Sequence, residues 1–463
     1  MNRFRFLLLI LFANILSAQQ QDGLVRVIGD SLVGKMVNGE SIREVHGNVI
    51  ITQDDVTITC DKAIQYIARN EAELIGKVIV HQDSIVIKTD AGYYYGDTKT
   101  TFSKVGVTLF DGHVNLFSKV GYYHFDEKRA DFYYDVKLYD SVTTMWSDKL
   151  TYFNDEDRAI AVGNVKIVDT ANVVYADSLE HFRDTRKTFA FNNVRIYDKK
   201  NKLAIFGNFF EDYGDSNYSK IFGEPLLLKI DTTSSGGFDT LVVSSKLMEA
   251  YGDSTKRLVT TDSVKIVRSG FASLNNFSEF FQLSDEIYTM KRENDLSQPV
   301  IWNEEAQLLA DTITIQTEKN KLKYVNLNSN ASIISQNEKH DLRFDQISGK
   351  QIEMFFGEKG LERTDVDGNV LSIYYLYEEN QPNGLLKSSS EKAKIFFNDD
   401  EIKDVKLYGS PISEYHPENL VHEKEKDFTL PTFIIIKDRP VKENLLYGRQ
   451  KLVETLKEEF SDD

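Results

Sequence analysis

The side chains that could do chemistry in this 463-residue chain are scattered. Eight histidines (His46, His81, His113, His124, His181, His340, His416 and His422) show no spacing that would close round one metal ion. The single cysteine, Cys60, excludes an internal disulfide, a cysteine-based zinc site and an iron–sulfur cluster. Asp365-Val-Asp367-Gly-Asn369 looks like part of a calcium loop. The twelfth position holds Leu376 where a glutamate is needed, so a turn is expected. No Gly-Lys-Ser/Thr phosphate loop, Gly-x-Ser-x-Gly elbow or His-Glu-x-x-His motif occurs. Carboxylates crowd every turn, so no one pair stands out for glycosidase chemistry. The expectation is a protein that is not an enzyme and that uses no metal and no cofactor.

What does recur is apolar. Val49, Val78, Val107, Val136, Val165 and Val194 stand 29 residues apart. Two residues on come Ile51, Val80, Leu109, Leu138, Ile167 and Ile196, and a further column reads Ile58, Ile87, Leu116, Met145, Val174, Leu203. Cys60, Thr89, Ser118, Ser147 and Ala176 form a small-residue column, beside Asp61, Asp90, Lys119, Asp148 and Asp177. Cys60 therefore reads as a small structural residue, not a nucleophile. A repeat of this length implies an extended array.

The elements that carry these columns follow from the residues between them. Gln53, Gln82, Asp111, Asp140, Asp169 and Asp198 form one turn column; Asp97, Asp126, Asp155 and Asp184 form another. Between turns, segments such as Val56-Thr-Ile58-Thr-Cys60 alternate apolar and polar, the mark of a strand with one buried face. Each repeat thus predicts two strands and two tight turns in an antiparallel meander, not a parallel β-helix. Alternation slips at Thr59-Cys60-Asp61-Lys62-Ala63, so a bend is expected in mid-strand, folding the sheet into a slab or groove. After Asp198 the period loosens, and Thr232-Thr-Ser-Ser-Gly-Gly237 reads as a loop. The motif returns irregularly, as at Asp262-Ser-Val264 and Gly368-Asn-Val370. The predicted organisation is a signal peptide over 1–18, a regular slab over 19–230, a degenerate slab over 231–420, and a tail over 421–463. In that tail Thr429 to Ile436 reads as a short strand. Pro440 starts a helix with Leu445, Leu452 and Leu456 near one face, expected to pack back on the slab and cover its terminal edge.

Composition agrees with an all-β fold: 29 Phe and 23 Tyr stand against 7 Pro and 2 Trp. The net charge of −17 argues against nucleic acid, whose phosphates need Lys and Arg. Arg3 and Arg5, the apolar run to Leu16 and Ser17-Ala18 have the layout of a cleavable signal peptide. Cleavage would leave a chain of charge −19, exported to the periplasm, with inner- or outer-membrane partners in reach. No cysteine stands at the cleavage site to carry a lipid.

Gly47-Asn48-Val49-Ile50-Ile51 and Gly163-Asn164-Val165-Lys166-Ile167, with Ala176-Asp177 and Thr89-Asp90, resemble the OstA-like, or LptA-like, periplasmic lipopolysaccharide-transport family. The resemblance is strong over 24–230, partial over 231–415 and absent from the tail. It implies an elongated, V-shaped antiparallel β-jellyroll with no catalytic motif. It also implies lipid A acyl chains in an apolar cleft, and edge-strand association with other lipopolysaccharide-transport proteins of the inner and outer membrane. The candidate lipid-binding residues are then Val49, Ile51, Ile58, Val78, Val80, Ile87, Val107, Leu109, Leu116, Val136, Leu138 and Met145. The same residues would equally fill a dry core between two sheets. The alternatives are an exported carbohydrate-binding protein and a surface β-repeat protein. Tyr93 to Tyr95, Tyr122-Tyr123 and Tyr133-Tyr134 look like a sugar platform, but adjacent tyrosines point to opposite faces.

Overall fold

A computed structural model describes residues 25–232, 238–318, 321–337, 340–379, 381–398, 401–449, 452 and 456. The expected signal peptide and most of the expected loop at 232–237 lie outside the described residues. The chain divides into two units, 1–138 and 139–463. The 29-residue columns run on through this division. Both units are antiparallel β-structure of the jellyroll type, as expected from the alternation. In the first unit the strands Glu40–Gln53, Val56–Tyr66, Glu71–Gln82 and Ile85–Tyr95 follow one another as hairpins. In the second, Thr144–Phe153, Arg158–Val168, Asn172–Phe182, Lys187–Asp198 and Leu203–Tyr213 do the same.

The mid-strand slip is a two-residue bulge. His46 faces Lys62 and Val49 faces Cys60, so Gly47 and Asn48 together oppose Asp61. Both have left-handed backbones, as do Gly76-Lys77, Gly163-Asn164 and Asn192-Asn193 at the same place in later repeats. Asn tolerates that conformation better than other side-chain-bearing residues and Gly best of all. The carboxylate column explains itself here. Asn164 Nδ2 donates to Asp148 Oδ2 at 2.8 Å, Asn193 to Asp177 at 2.7 Å, and Asn330 to Asp311 at 2.7 Å. Gly76 and Gly163 are held by this joint: an added Cβ would lie 2.5 Å and 2.4 Å from the carboxylates of Asp61 and Asp148. In one repeat the joint is reversed, and Lys119 pairs with Asp135. Each bulge divides its hairpin into two arms, whose buried sides face each other.

The turn column splits into two kinds. Asp111, Asp140 and Asp169 each accept two backbone N–H groups of their own turn, at 2.7–2.8 Å. Gln53 and Gln82 are instead buried last residues of strands, and their amides point inward. Adjacent tyrosines do alternate: Tyr94 is buried, while Tyr93 and Tyr95 stack outside with ring centres 6.4 Å apart.

The tail differs from expectation. Residues 429–436 form no strand, because their backbone bonds go to side chains of the sheet rather than to a ladder. Gln346 takes Phe428 and Leu430; Gln307 takes Ile434 and Ile436. A four-residue helix, Lys442–Leu445, follows. The tail lies along a face of the second unit rather than capping its terminal edge, since its leucines meet an apolar outer surface there.

Candidate functional site

In the first unit, Ile51, Ile58, Val80, Ile87, Leu109 and Leu116 are directly opposed from strand to strand, forming one buried row across six strands. Val49, Val78, Val107 and Val136 are buried as well, and Leu138 is half-buried. The opposite arm fills the space in front of this row. Tyr94 donates its hydroxyl to Gln53 Oε1, and Tyr123 donates to Gln82 Oε1 at 3.0 Å. The two glutamine amides donate to the carbonyls of Gly96 and Phe125. Phe125 packs edge-on against both tyrosines. A void of only about 10 Å3 is left beside Val80, Ile87 and Val107. Cys60 lies in this interior, and burial pushes its thiol up to about 11, so it is no nucleophile at neutral pH.

In the second unit the same row opens onto space. It starts at Met145 and runs through Ile167, Val174, Ile196, Ile205, Leu227, Val243 and Ile266, each directly opposed to the next. From Ile167 onward these side chains line two cavities of about 390 and 370 Å3. Leu258, from the opposite arm, borders both. One pair of substitutions along the repeat lies at the opening itself. The Gln53–Tyr94 bridge becomes Asp169 and Phe210, which no longer bond and both line the smaller cavity.

The walls are apolar with a few fixed polar groups, the usual composition of a site for an apolar ligand. One part of the larger cavity holds Lys229, Asp231, Asp239 and Arg268. Arg268 Nε donates to Asp239 at 2.7 Å, and its terminal nitrogen lies 3.3 Å from Asp231, which Lys229 approaches at 3.4 Å. Burial raises the Asp239 carboxyl, but the Arg268 and Ser269 hydrogen bonds outweigh it and hold the group below the usual range. Two cations thus balance two carboxylates. In the smaller cavity burial pushes Asp212 up, and nearby His181 is pushed down by burial and then by Arg183. No group of three potential metal ligands occurs among the described residues. The arrangement can hold an apolar chain away from water. In the larger cavity Ser269 donates its hydroxyl to Asp239 at 2.9 Å, and Arg268 holds the same carboxylate.

Some of the cavity-lining residues missing from the twelve candidates carried a signal. Ile167, Val174, Ile196 and Leu203 continue the columns that named Ile51 and Ile58. Leu227, Leu241, Val243 and Leu258 lie where the period has loosened, and no column marks them.

The family of OstA-like proteins matches residues 28–109. Among solved structures the chain is similar to LptH of Pseudomonas aeruginosa, the LptA-homologous periplasmic component of the conserved lipopolysaccharide transport device. That likeness has 12% identity, covers 36% of this chain and 82% of the other, and has a TM-score of 0.13. A superposition that loose carries no inference about this chain. No curated protein matches it. Among the described residues no helix is long and apolar enough to cross a membrane.

Proposed function

Starting from a chain that is OstA-like over residues 28–109, we propose that it is a non-enzymatic periplasmic carrier for lipopolysaccharide on its way to the outer membrane. Acyl chains lie in the apolar interior of the second unit, against the open part of the row; the twelve candidate residues continue that row through packed interior and would join the lining where the facing arms part. The observation that carries this reading is the row in the second unit, which faces about 390 and 370 Å3 of space instead of packed side chains. Each methylene kept from water there contributes about 0.8 kcal/mol, so a long chain needs no polar contact to be held. Other lipopolysaccharide-transport proteins are its partners, reached through edge strands. Ser31–Val37, exposed along its whole length with Leu32 and Met36 outward, suits that role.

The test is a photocrosslinking residue placed in living cells at Ile58, Leu116, Leu138 and Leu227, with exposed Lys88 as control. Lipopolysaccharide bands at Leu227 and absent at Lys88 are the expected result. Bands at Ile58 and Leu116 as well would extend the lane into the first unit. A folded, exported protein with no lipid band at any of the four positions defeats the reading.

A further inference from the structure

The wall of the larger cavity is one strand thick, and its two faces are occupied by different things. Leu227 faces the cavity while Leu226 and Leu228 face outward. Val243 faces in and Val242 out; Ile266 faces in and Val267 out. A sheet that is apolar on both faces needs cover on its outer side. The chain's own tail supplies it. Leu445, Leu446, Leu452 and buried Leu456 pack on the outer cluster around Leu226, Leu228 and Val242. Ile436 and Leu445 pack on Val267 and its neighbours.

The tail is fastened by a device used twice. Gln346 Nε2 donates to the Phe428 carbonyl at 3.2 Å while its Oε1 accepts from Leu430 N at 2.8 Å. Gln307 does the same to Ile434 and Ile436, at 2.7 and 2.8 Å. Each amide stands in for a strand of backbone and reads an extended peptide at positions two apart. Buried Arg343 fixes the root of the tail through Glu418 and Glu425, and Arg449 ties its far part to Glu224 at 3.0 Å. The fastenings reach side chains and carbonyls of strands that are far apart in the sequence, so the tail spans and braces the sheet beneath it.

We infer that the docked tail, residues 418–449 with Leu452 and Leu456, acts as the outer layer of the lipid chamber and holds it open, so that tail docking and acyl-chain binding strengthen each other. This rests on the carrier reading above. The physical ground is preorganisation. An apolar cavity whose wall is held from outside need not be opened at the moment of binding, and the cost of opening it does not subtract from affinity. Coupling of this kind is reciprocal by necessity: whatever the tail adds to ligand affinity, the ligand adds to tail docking.

The experiment uses the full chain and a fluorescent long-chain fatty acid as probe. In Leu445→Asp/Leu452→Asp, which places carboxylates against the apolar outer face, the probe is expected to bind at least about tenfold more weakly, equivalent to about 1.4 kcal/mol. Leu445→Met/Leu452→Met should keep the wild-type affinity. In the unaltered protein, saturating probe should slow hydrogen exchange at the Leu430 and Ile436 amides by a comparable factor, a response that a tail serving only as structural cover would not give. Wild-type affinity in the aspartate variant, with its tail amides in rapid exchange, overturns the inference. So does exchange that ignores the probe, and this second arm decides alone if the aspartate variant does not fold. Failure of the unaltered chain to bind the probe at all overturns the carrier reading, and the inference falls with it.

Discussion

Tyr94→Phe and Gln53→Met, singly and together, probe the bridge that closes the interior of the first unit. Tyr94 is 1% exposed and Gln53 4%, so neither can turn to water when its partner is lost. Tyr94→Phe removes the hydroxyl that Gln53 Oε1 accepts from. A buried acceptor deprived of its donor costs about 1–3 kcal/mol. Gln53→Met costs more, about 2–4 kcal/mol by the same rule, because it strands the Tyr94 hydroxyl and also the Gly96 carbonyl that the amide serves. In the double variant the Tyr–Gln pair is gone from both sides, so neither member is left facing a missing partner. The double variant should therefore be more stable than the two single losses imply, by a coupling of about 1–2 kcal/mol. Equilibrium urea unfolding of the full chain, followed by circular dichroism, measures the four corners of this cycle. A coupling below about 0.5 kcal/mol, the scatter of independent sites, would refute the reasoning and leave the bridge as a contact without energetic weight. The phenol is pushed above its ordinary value mainly by burial, so the bridge should persist at pH values where exposed tyrosines have ionised.

Other outcomes follow from single sites. Leu258→Trp puts an indole into the border shared by both cavities, and should weaken binding of an apolar probe about tenfold or more while leaving the β-sheet circular dichroism intact. Gly163→Ala forces a side chain into a left-handed position against the Asp148 carboxylate; a loss of about 2–3 kcal/mol is expected in urea unfolding, against no measurable change for Gly34→Ala, which meets open space. Burial pushes the Asp345 carboxyl up to about 6, opposed by a hydrogen bond from Tyr375 N. The folded chain then holds that proton more tightly than the unfolded one, so this site favours folding below about pH 4, and the advantage is lost as pH rises to about 6. Asp345→Asn should raise stability at pH 7 by about 2–3 kcal/mol and flatten that decline, as read from urea midpoints across the range.

The repeat was legible because a strand's buried face and its turns leave periodic marks. Val49 through Val194 gave the register, and the slip at Cys60–Asp61 located the corner before the Gly47–Asn48 bulge and the Asp–Asn joints explained it. Gln53 and Gln82 were not legible as interior residues. They share a column with aspartates that cap turns, and only the longer side chain can reach across to a tyrosine. The position of open space was hidden for a related reason. Alternation says which face is buried, but not whether the facing arm touches it; that depends on both arms together, as where the Gln53–Tyr94 bridge gives way to Asp169 and Phe210. The tail read as a strand over 429–436 because its residues are apolar and extended. That such a segment bonds to glutamine side chains rather than to a ladder depends on residues about 80 and 130 positions away, which no local pattern carries.

The joint between successive hairpins bears on how such a chain changes its length. Where the joint is intact, as at Asp148–Asn164 and Asp177–Asn193, a repeat brings an aspartate for the next corner and a Gly–Asn or Asn–Asn corner for the previous aspartate. A gene segment encoding a whole repeat can therefore be copied or lost by unequal exchange, and the two flanking repeats still meet as matched halves. Lys119 and Asp135 show the opposite pressure. Once one joint has exchanged its charges, a copy beginning or ending inside it would set two aspartates, or a lysine and an asparagine, against each other. Divergence of that kind would freeze the number of repeats at that point, and with it the length of apolar interior that the chain encodes.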